Sequence, residues 1–301
     1  MGQSSLPSIV GRCRDSVRPI DISPISQVMR RIDLAAEGTA PQPTPRDAFV
    51  TGFPSLDRWL GGGVRAGDLV VLAGAIGSGK SALTLAMALR MADAGTRVAV
   101  VSGEMTVERQ MERALAIEGR VRVDDLRQGR LDEASRAAVG AVAVRLRDHG
   151  PRLEVMAPEG FEGLTALLRA HPTDVLIVDP IQALLAGRAD PDAALASMIR
   201  QLKALALAHH VCIVAVSHLP HWTSRADPRP VLEDLGAMGA IQESADVVLA
   251  LFREEMYAPD HGVEGATELL VRKHRNGGLG YLDLYFYKQW LRFEDMLDPD
   301  R

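Results

Sequence analysis

The chain has 301 residues, of which 47% are apolar and 24% charged, enough to bury a sizeable core. No apolar run reaches the roughly 18 residues needed to span a bilayer, and two cysteines, Cys13 and Cys212, suit neither a disulfide framework nor a zinc knuckle. A formal charge of -5 excludes a histone-like protein that coats nucleic acid by bulk charge, and leaves a local basic path open.

Residues 1–48 carry six of the 17 prolines and none of the aromatic residues, and read as a Pro-rich, partly disordered tail. Arg12 and Arg14 are not followed by an apolar signal-peptide core, and a cytoplasmic protein is expected. Within the tail, residues 25–36 (ISQVMRRIDLAA) place Ile25, Val28, Met29, Ile32 and Ala36 on one helical face. Such a helix either docks on a partner surface or packs on its own domain.

From Phe49 to Arg301 a single α/β domain is expected. Strands Asp68 to Leu72, Arg97 to Val101, Asp174 to Val178 and Val211 to Val216 have the near-continuous apolar character of buried parallel strands. They alternate with helical patterns at Lys80 to Ala94, Val107 to Ile117, Leu131 to Asp148 and Pro191 to His209. Beyond residue 245, strands are expected at Asp246 to Phe252, Glu268 to Lys273 and Tyr281 to Tyr287, with Asn276-Gly277-Gly278 marking a hairpin between the last two.

Gly74-Ala75-Ile76-Gly77-Ser78-Gly79-Lys80-Ser81 satisfies the phosphate-binding loop pattern between a strand and a helix, where the mechanism requires it. Gly77 and Gly79 let backbone amides converge on phosphate, Lys80 bridges the terminal phosphates, and the Ser81 hydroxyl can ligate magnesium. Asp179, closing the strand VLIVD, is the candidate acid for the metal side. Glu104 follows the strand ending at Val101 and is either the residue that polarises an attacking water or a solvent-facing start to the next helix.

Six ordered segments carry a resemblance: TGFPSLDRWLGGGVRAGDLVVLAG, VSGEMTVERQMER, LIVDPIQAL, AVSHLPH, RPVLEDLGAMGAIQESADVVLALFREEMY and RKHRNGGLGYLDLYF. From about Thr51 to Glu294 the chain resembles the C-terminal motor domain of DnaB-type replicative DNA helicases. The family's N-terminal helical domain has no counterpart, and only the helix at 25–36 stands where its subunit-linking helix would. The resemblance implies a RecA-like P-loop NTPase fold, with a mostly parallel central sheet and a C-terminal antiparallel hairpin. It further implies an ATP- and magnesium-dependent DNA helicase that forms a ring, most simply a homohexamer, on single-stranded DNA in replication, with an unspecified loader or replication partner and no membrane.

Residue by residue, the resemblance implies that Gly74, Gly77, Ser78, Gly79, Lys80 and Ser81 bind nucleotide, Glu104 is the catalytic base, and Asp179 and Ser81 serve the metal. Arg113 matches a family arginine near the phosphates. Lys273-His274-Arg275-Asn276-Gly277 matches a motif that reaches the neighbouring subunit's nucleotide, with Arg275 as finger and Lys273 as companion. Two positions depart from the family. His218 replaces the Gln of a Ser-Gln pair and retains a hydrogen-bond donor. Gly236-Ala237 replaces an Arg-Glu pair in the loop that holds DNA, leaving Gly239 with its backbone amide, so DNA affinity is expected to fall. Arg225 and Arg229 are candidate substitutes, and Trp222 is either a stacking face or a residue packed on its own domain. A second reading, an oligomeric switch or assembly ATPase resembling KaiC-like proteins, fits the missing pair and the acidic composition.

Overall fold

The computed structural model describes residues 25, 26 and 29, and residues 48–296 except 158–159, 186–188, 220–224 and 261–262. Two compact units divide after Pro43, one of residues 1–43 and one of residues 44–301. In the first, Ile25, Ser26 and Met29 are helical and exposed; the remainder of the expected helix at 25–36 lies outside the described residues.

The second unit begins with a two-stranded ribbon of β1 (Ala48–Phe49) and β2 (Val64–Arg65), bridged by α1 (Pro54–Trp59). Then follow β3 (Leu69–Ala75), α2 (Lys80–Asp93), β4 (Val98–Ser102), α3 (Val107–Gly119), α4 (Val123–Arg127), α5 (Glu133–His149), β5 (Leu153–Met156), α6 (Gly160–Ala170) and β6 (Val175–Asp179). The chain continues through α7 (Pro191–His209), β7 (Cys212–Leu219), α8 (Ala240–Ser244), β8 (Val247–Phe252), β9 (Ala266–His274), β10 (Gly280–Tyr287) and β11 (Arg292–Asp295). The main sheet runs in the order β11-β10-β9-β8-β3-β7-β6-β4-β5. It is parallel from β8 through β5 and antiparallel from β8 through β11.

The burial pattern explains which strands lie where. Every residue of β3, β4, β6 and β8 is buried, as two covered faces demand. In β10 the alternation of Leu282, Leu284 and Phe286 inward with more exposed neighbours marks a sheet covered mainly on one side. Odd and even positions of β3 feed different cores. Val70 and Leu72 pack with α2 and α3 residues such as Leu85, Leu89 and Ile117, while Leu69 and Val71 pack with Leu164 of α6 and Ile199 and Leu202 of α7. Helix starts are capped by side chains where the sequence supplies an oxygen: the Ser135 amide donates to Asp132 (2.7 Å), and the Asp192 and Ala193 amides donate to Asp190 (3.1 and 3.0 Å). Among the described residues, no helix is long and apolar enough to cross a membrane.

The main sheet differs from the expectation in two places. The C-terminal hairpin is a three-stranded meander, because Phe293 of β11 turns inward onto Phe286 (ring centroids 4.4 Å apart) and adds a strand. The parallel sheet also gains an edge strand, β5, whose half-buried residues give a weaker apolar signal than the central strands.

Candidate nucleotide-binding site

β3, β7, β6 and β4 are neighbours, and their carboxyl ends supply the site. Gly74 of β3 is in register with His218 of β7, and Asp179 of β6 with Ser102 of β4, two residues before Glu104. This is the edge at which open parallel sheets bind ligands.

Between β3 and α2 the chain requires glycine for distinct reasons. Gly77 and Gly79 have φ of +82° and +105°. A Cβ on Gly79 would also lie 2.8 Å from Phe293 Cζ, and one on Gly74 would lie 2.9 Å from the Leu251 carbonyl oxygen. Gly79 is the N-cap of α2, where no side-chain oxygen occupies the helix amides. The Ser78 Oγ is buried without a hydrogen-bond partner. Lys80 is buried, and its Nζ donates to the carbonyls of Gly74 and Ala75 at 2.8 Å each. Burial pushes its ammonium down to about 8, against the pull of Asp179 and Glu104.

The Ser81 hydroxyl donates to Asp179 Oδ1 at 3.1 Å. Burial raises the Asp179 carboxyl above its ordinary value, although the Ser81 hydrogen bond and the Lys80 charge pull it down. His218 Nε2 lies 3.1 Å from Glu104 Oε1. A carboxylate partner requires Nε2 to carry the proton. The His218 main chain is fixed through Gln182, whose Oε1 accepts its amide (3.4 Å) and whose Nε2 donates to Ser217 Oγ (3.0 Å). Arg113 on α3 is half-buried, and burial lowers its guanidinium while Asp179 opposes the shift. It borders a cavity of about 430 Å³ shared with Arg122, Arg127 and Lys288.

Sequence reasoning missed Arg253. It is buried, donates to the Gly77 carbonyl at 3.3 Å, and is held by Glu255, which Lys288 also meets at 2.7 Å. Its signal, a charge directly after an apolar strand, is too common to single out. The empty helix cap, the converging glycines, the orphaned Ser78 hydroxyl, the desolvated Lys80 and the paired Ser81 and Asp179 together form a cradle suited to a triphosphate with its magnesium ion.

Lys273 and Arg275 lie at the opposite edge. The Arg275 amide donates to the Asp246 carbonyl (2.8 Å), its Nε to Asp246 Oδ1 (2.8 Å), and its guanidinium to the Glu243 carbonyl (3.3 Å). Lys273 Nζ donates to the Gln242 carbonyl at 2.5 Å. Burial would raise the Asp246 carboxyl, but hydrogen bonds from Lys203, the Leu69 amide and Arg275 hold it below its ordinary value. Asp246 and Leu69 mark the start of the parallel strands, so five residues of β3 separate this level from Gly74, roughly 16 Å at about 3.3 Å per residue.

The expected DNA residues are each engaged within the chain itself. Arg225 Nη1 donates to both oxygens of Asp234 (2.7 Å each), and Arg229 is bidentate on Glu268 (2.6 and 2.7 Å). The Gly239 amide donates to the Gly236 carbonyl (3.3 Å). Trp222 lies outside the described residues.

A family profile described as the DnaB-like helicase C-terminal domain matches residues 48–295. The replicative DNA helicase DnaB of Geobacillus stearothermophilus is 28% identical over 83% of this chain and 58% of its own length. That of Pasteurella multocida is 31% identical over 82% of this chain and 55% of its own length. The chain therefore spans little more than half the length of these curated relatives. Among solved structures, a DnaB-like replicative helicase described together with its interactions with primase superposes with a TM-score of 0.80 at 21% identity, covering 92% of this chain and 67% of the other, which establishes a shared fold.

Proposed function

The chain belongs to the DnaB-like helicase C-terminal domain family, and from that premise we propose that it is an ATP-hydrolysing, ring-forming motor that moves on single-stranded DNA in the cytoplasm. The observation that carries the reading is the division of the catalytic set between opposite sheet edges. The phosphate loop, Glu104, Asp179 and His218 sit at one edge, and Lys273 and Arg275 sit roughly 16 Å away at the other. Within one chain the two sets cannot meet. In a head-to-tail ring, the second edge of one subunit faces the first edge of the next.

In this arrangement Lys80 and the loop amides neutralise the phosphates of ATP. Ser81 and Asp179 hold the magnesium ion, which when bound offsets charge on the phosphate oxygens. Glu104, oriented by the Nε2 proton of His218, accepts a proton from the attacking water. Arg275 and Lys273 of the adjacent subunit meet the charge that builds on the transferring phosphoryl group. A loader or other replication protein remains part of the proposal without an assigned surface. Forked-DNA strand displacement, with Lys80→Ala as the inactive control, tests the reading. Hydrolysis that single-stranded DNA never stimulates, together with absent displacement, would overturn it.

The second reading, an oligomeric ATP-dependent switch with weak or no unwinding, is favoured by one observation. Arg225 and Arg229 are each neutralised by a carboxylate of their own chain, leaving them little positive charge for phosphates.

A further inference from the structure

The loop before α8 has an unusual backbone. Gly236, Ala237 and Met238 have φ of +61°, +55° and +50° in succession, a region that side-chain-bearing residues rarely adopt. Successive amides in such a turn point into one concavity, the arrangement that binds anions. The concavity is filled: the Ala237 amide donates to Asp192 Oδ1 at 2.6 Å and the Met238 amide to Asp192 Oδ2 at 3.2 Å. Among the described residues no cation pairs with Asp192. A Cβ at Gly236 would stand 2.9 Å from Asp192 Oδ1, so the carboxylate is seated tightly against the turn.

We propose that residues 236–238 form a phosphate-binding nest that the protein's own Asp192 occupies, so that a nucleic-acid phosphate enters only by displacing that carboxylate. The inference rests on the single-stranded DNA reading for its ligand, not for the nest. The chemistry matches closely, because a phosphodiester, like a carboxylate, offers two oxygens sharing one negative charge to two amides. Asp192 lies on the surface and Met238 beside it is 68% exposed, while Ala237 is buried beneath them, so exchange at the nest would proceed from the Asp192 side. This also gives the loss of the family's Arg-Glu pair a physical meaning. In place of a side chain that attracts the strand, the loop has an internal competitor that holds it off.

The full chain with a non-hydrolysable ATP analogue is compared as wild type, Asp192→Ala and Asp192→Asn by two readouts. The first follows the Ala237 and Met238 amide resonances during titration with inorganic phosphate. The second measures oligo(dT) binding at two salt concentrations. The nest predicts that phosphate shifts both amides in Asp192→Ala and not in wild type. It also predicts oligo(dT) affinity about tenfold tighter in Asp192→Ala, as expected when a charge-assisted pair of hydrogen bonds becomes free for the ligand, with Asp192→Asn between the two. Amides in Asp192→Ala that ignore phosphate overturn the nest, and weakened oligo(dT) binding in that variant then makes Asp192 a brace for the loop. Amides that respond to phosphate in a variant that binds no oligo(dT) uphold the nest and overturn DNA as its ligand.

Discussion

Replacing Arg275 with Ala separates catalysis across an interface from catalysis within a chain. The guanidinium is tied to Asp246 at 2.8 Å, level with the start of β3, and the phosphate loop begins five residues further along that strand. At about 3.3 Å per residue it stands roughly 16 Å from its own site, beyond the reach of any rotamer. Truncation should therefore leave ADP binding intact and lower the hydrolysis rate of an assembled ring by about 10³-fold or more, the usual worth of such an arginine. Folding should barely suffer. Arg275 is 49% exposed, so its ion pair is worth under about 1 kcal/mol, and Asp246 keeps Lys203 and the Leu69 amide. The decisive assay mixes Arg275→Ala with Lys80→Ala protein, each inactive alone. In random head-to-tail rings about one interface in four joins an intact phosphate loop to an intact arginine, so about a quarter of the wild-type rate should return. Mixed rings that form yet stay inactive, or an Arg275→Ala protein that hydrolyses ATP normally, would refute the reasoning.

Four further outcomes follow from the site. Burial sets Lys80 near 8 in the nucleotide-free protein, so ADP affinity measured by calorimetry should fall as pH rises past that value, a trend absent from Lys80→Ala. The sign for stability is opposite. The unfolded chain holds the Lys80 proton up to its ordinary value, so the burial penalty acts in full below about 8 and is relieved as pH climbs, which denaturation at several pH values would record. Gly79→Ala sets a Cβ 2.8 Å from Phe293 Cζ at a φ of +105° and should lose about 2 kcal/mol or more of stability together with nucleotide binding, read by thermal melts with and without ADP. His218→Gln keeps a donor for Glu104 and should retain most of the hydrolysis rate, whereas His218→Leu should lower kcat about tenfold with little change in KM.

Much of this site was legible because its signals are local. The glycine spacing, the strand before it and the helix after it are contiguous between Leu69 and Asp93, and a strand that ends in Asp179 or leads into Glu104 announces itself by an apolar run stopping at a carboxylate. What escaped depends on pairings between distant segments. Arg253 matters because β8 lies beside β3, and Asp192 because α7 begins beside a loop more than forty residues later. Arg225 and Arg229 looked free because their carboxylate partners, Asp234 and Glu268, are chosen by the fold and not by spacing. β5 escaped because an edge strand needs burial on fewer sides than the strands that betray themselves by continuous Val and Ile.

α8 is only five residues long, yet both ends of it are occupied. Its cap, Gly239, closes back on Gly236, and its later carbonyls, those of Gln242 and Glu243, receive Lys273 and Arg275. A helix this short has no slack: its hydrogen bonds move together or break. It joins the loop to the basic pair, so that if a ligand at one end shifts the helix, thermodynamic reciprocity makes the influence equal in both directions.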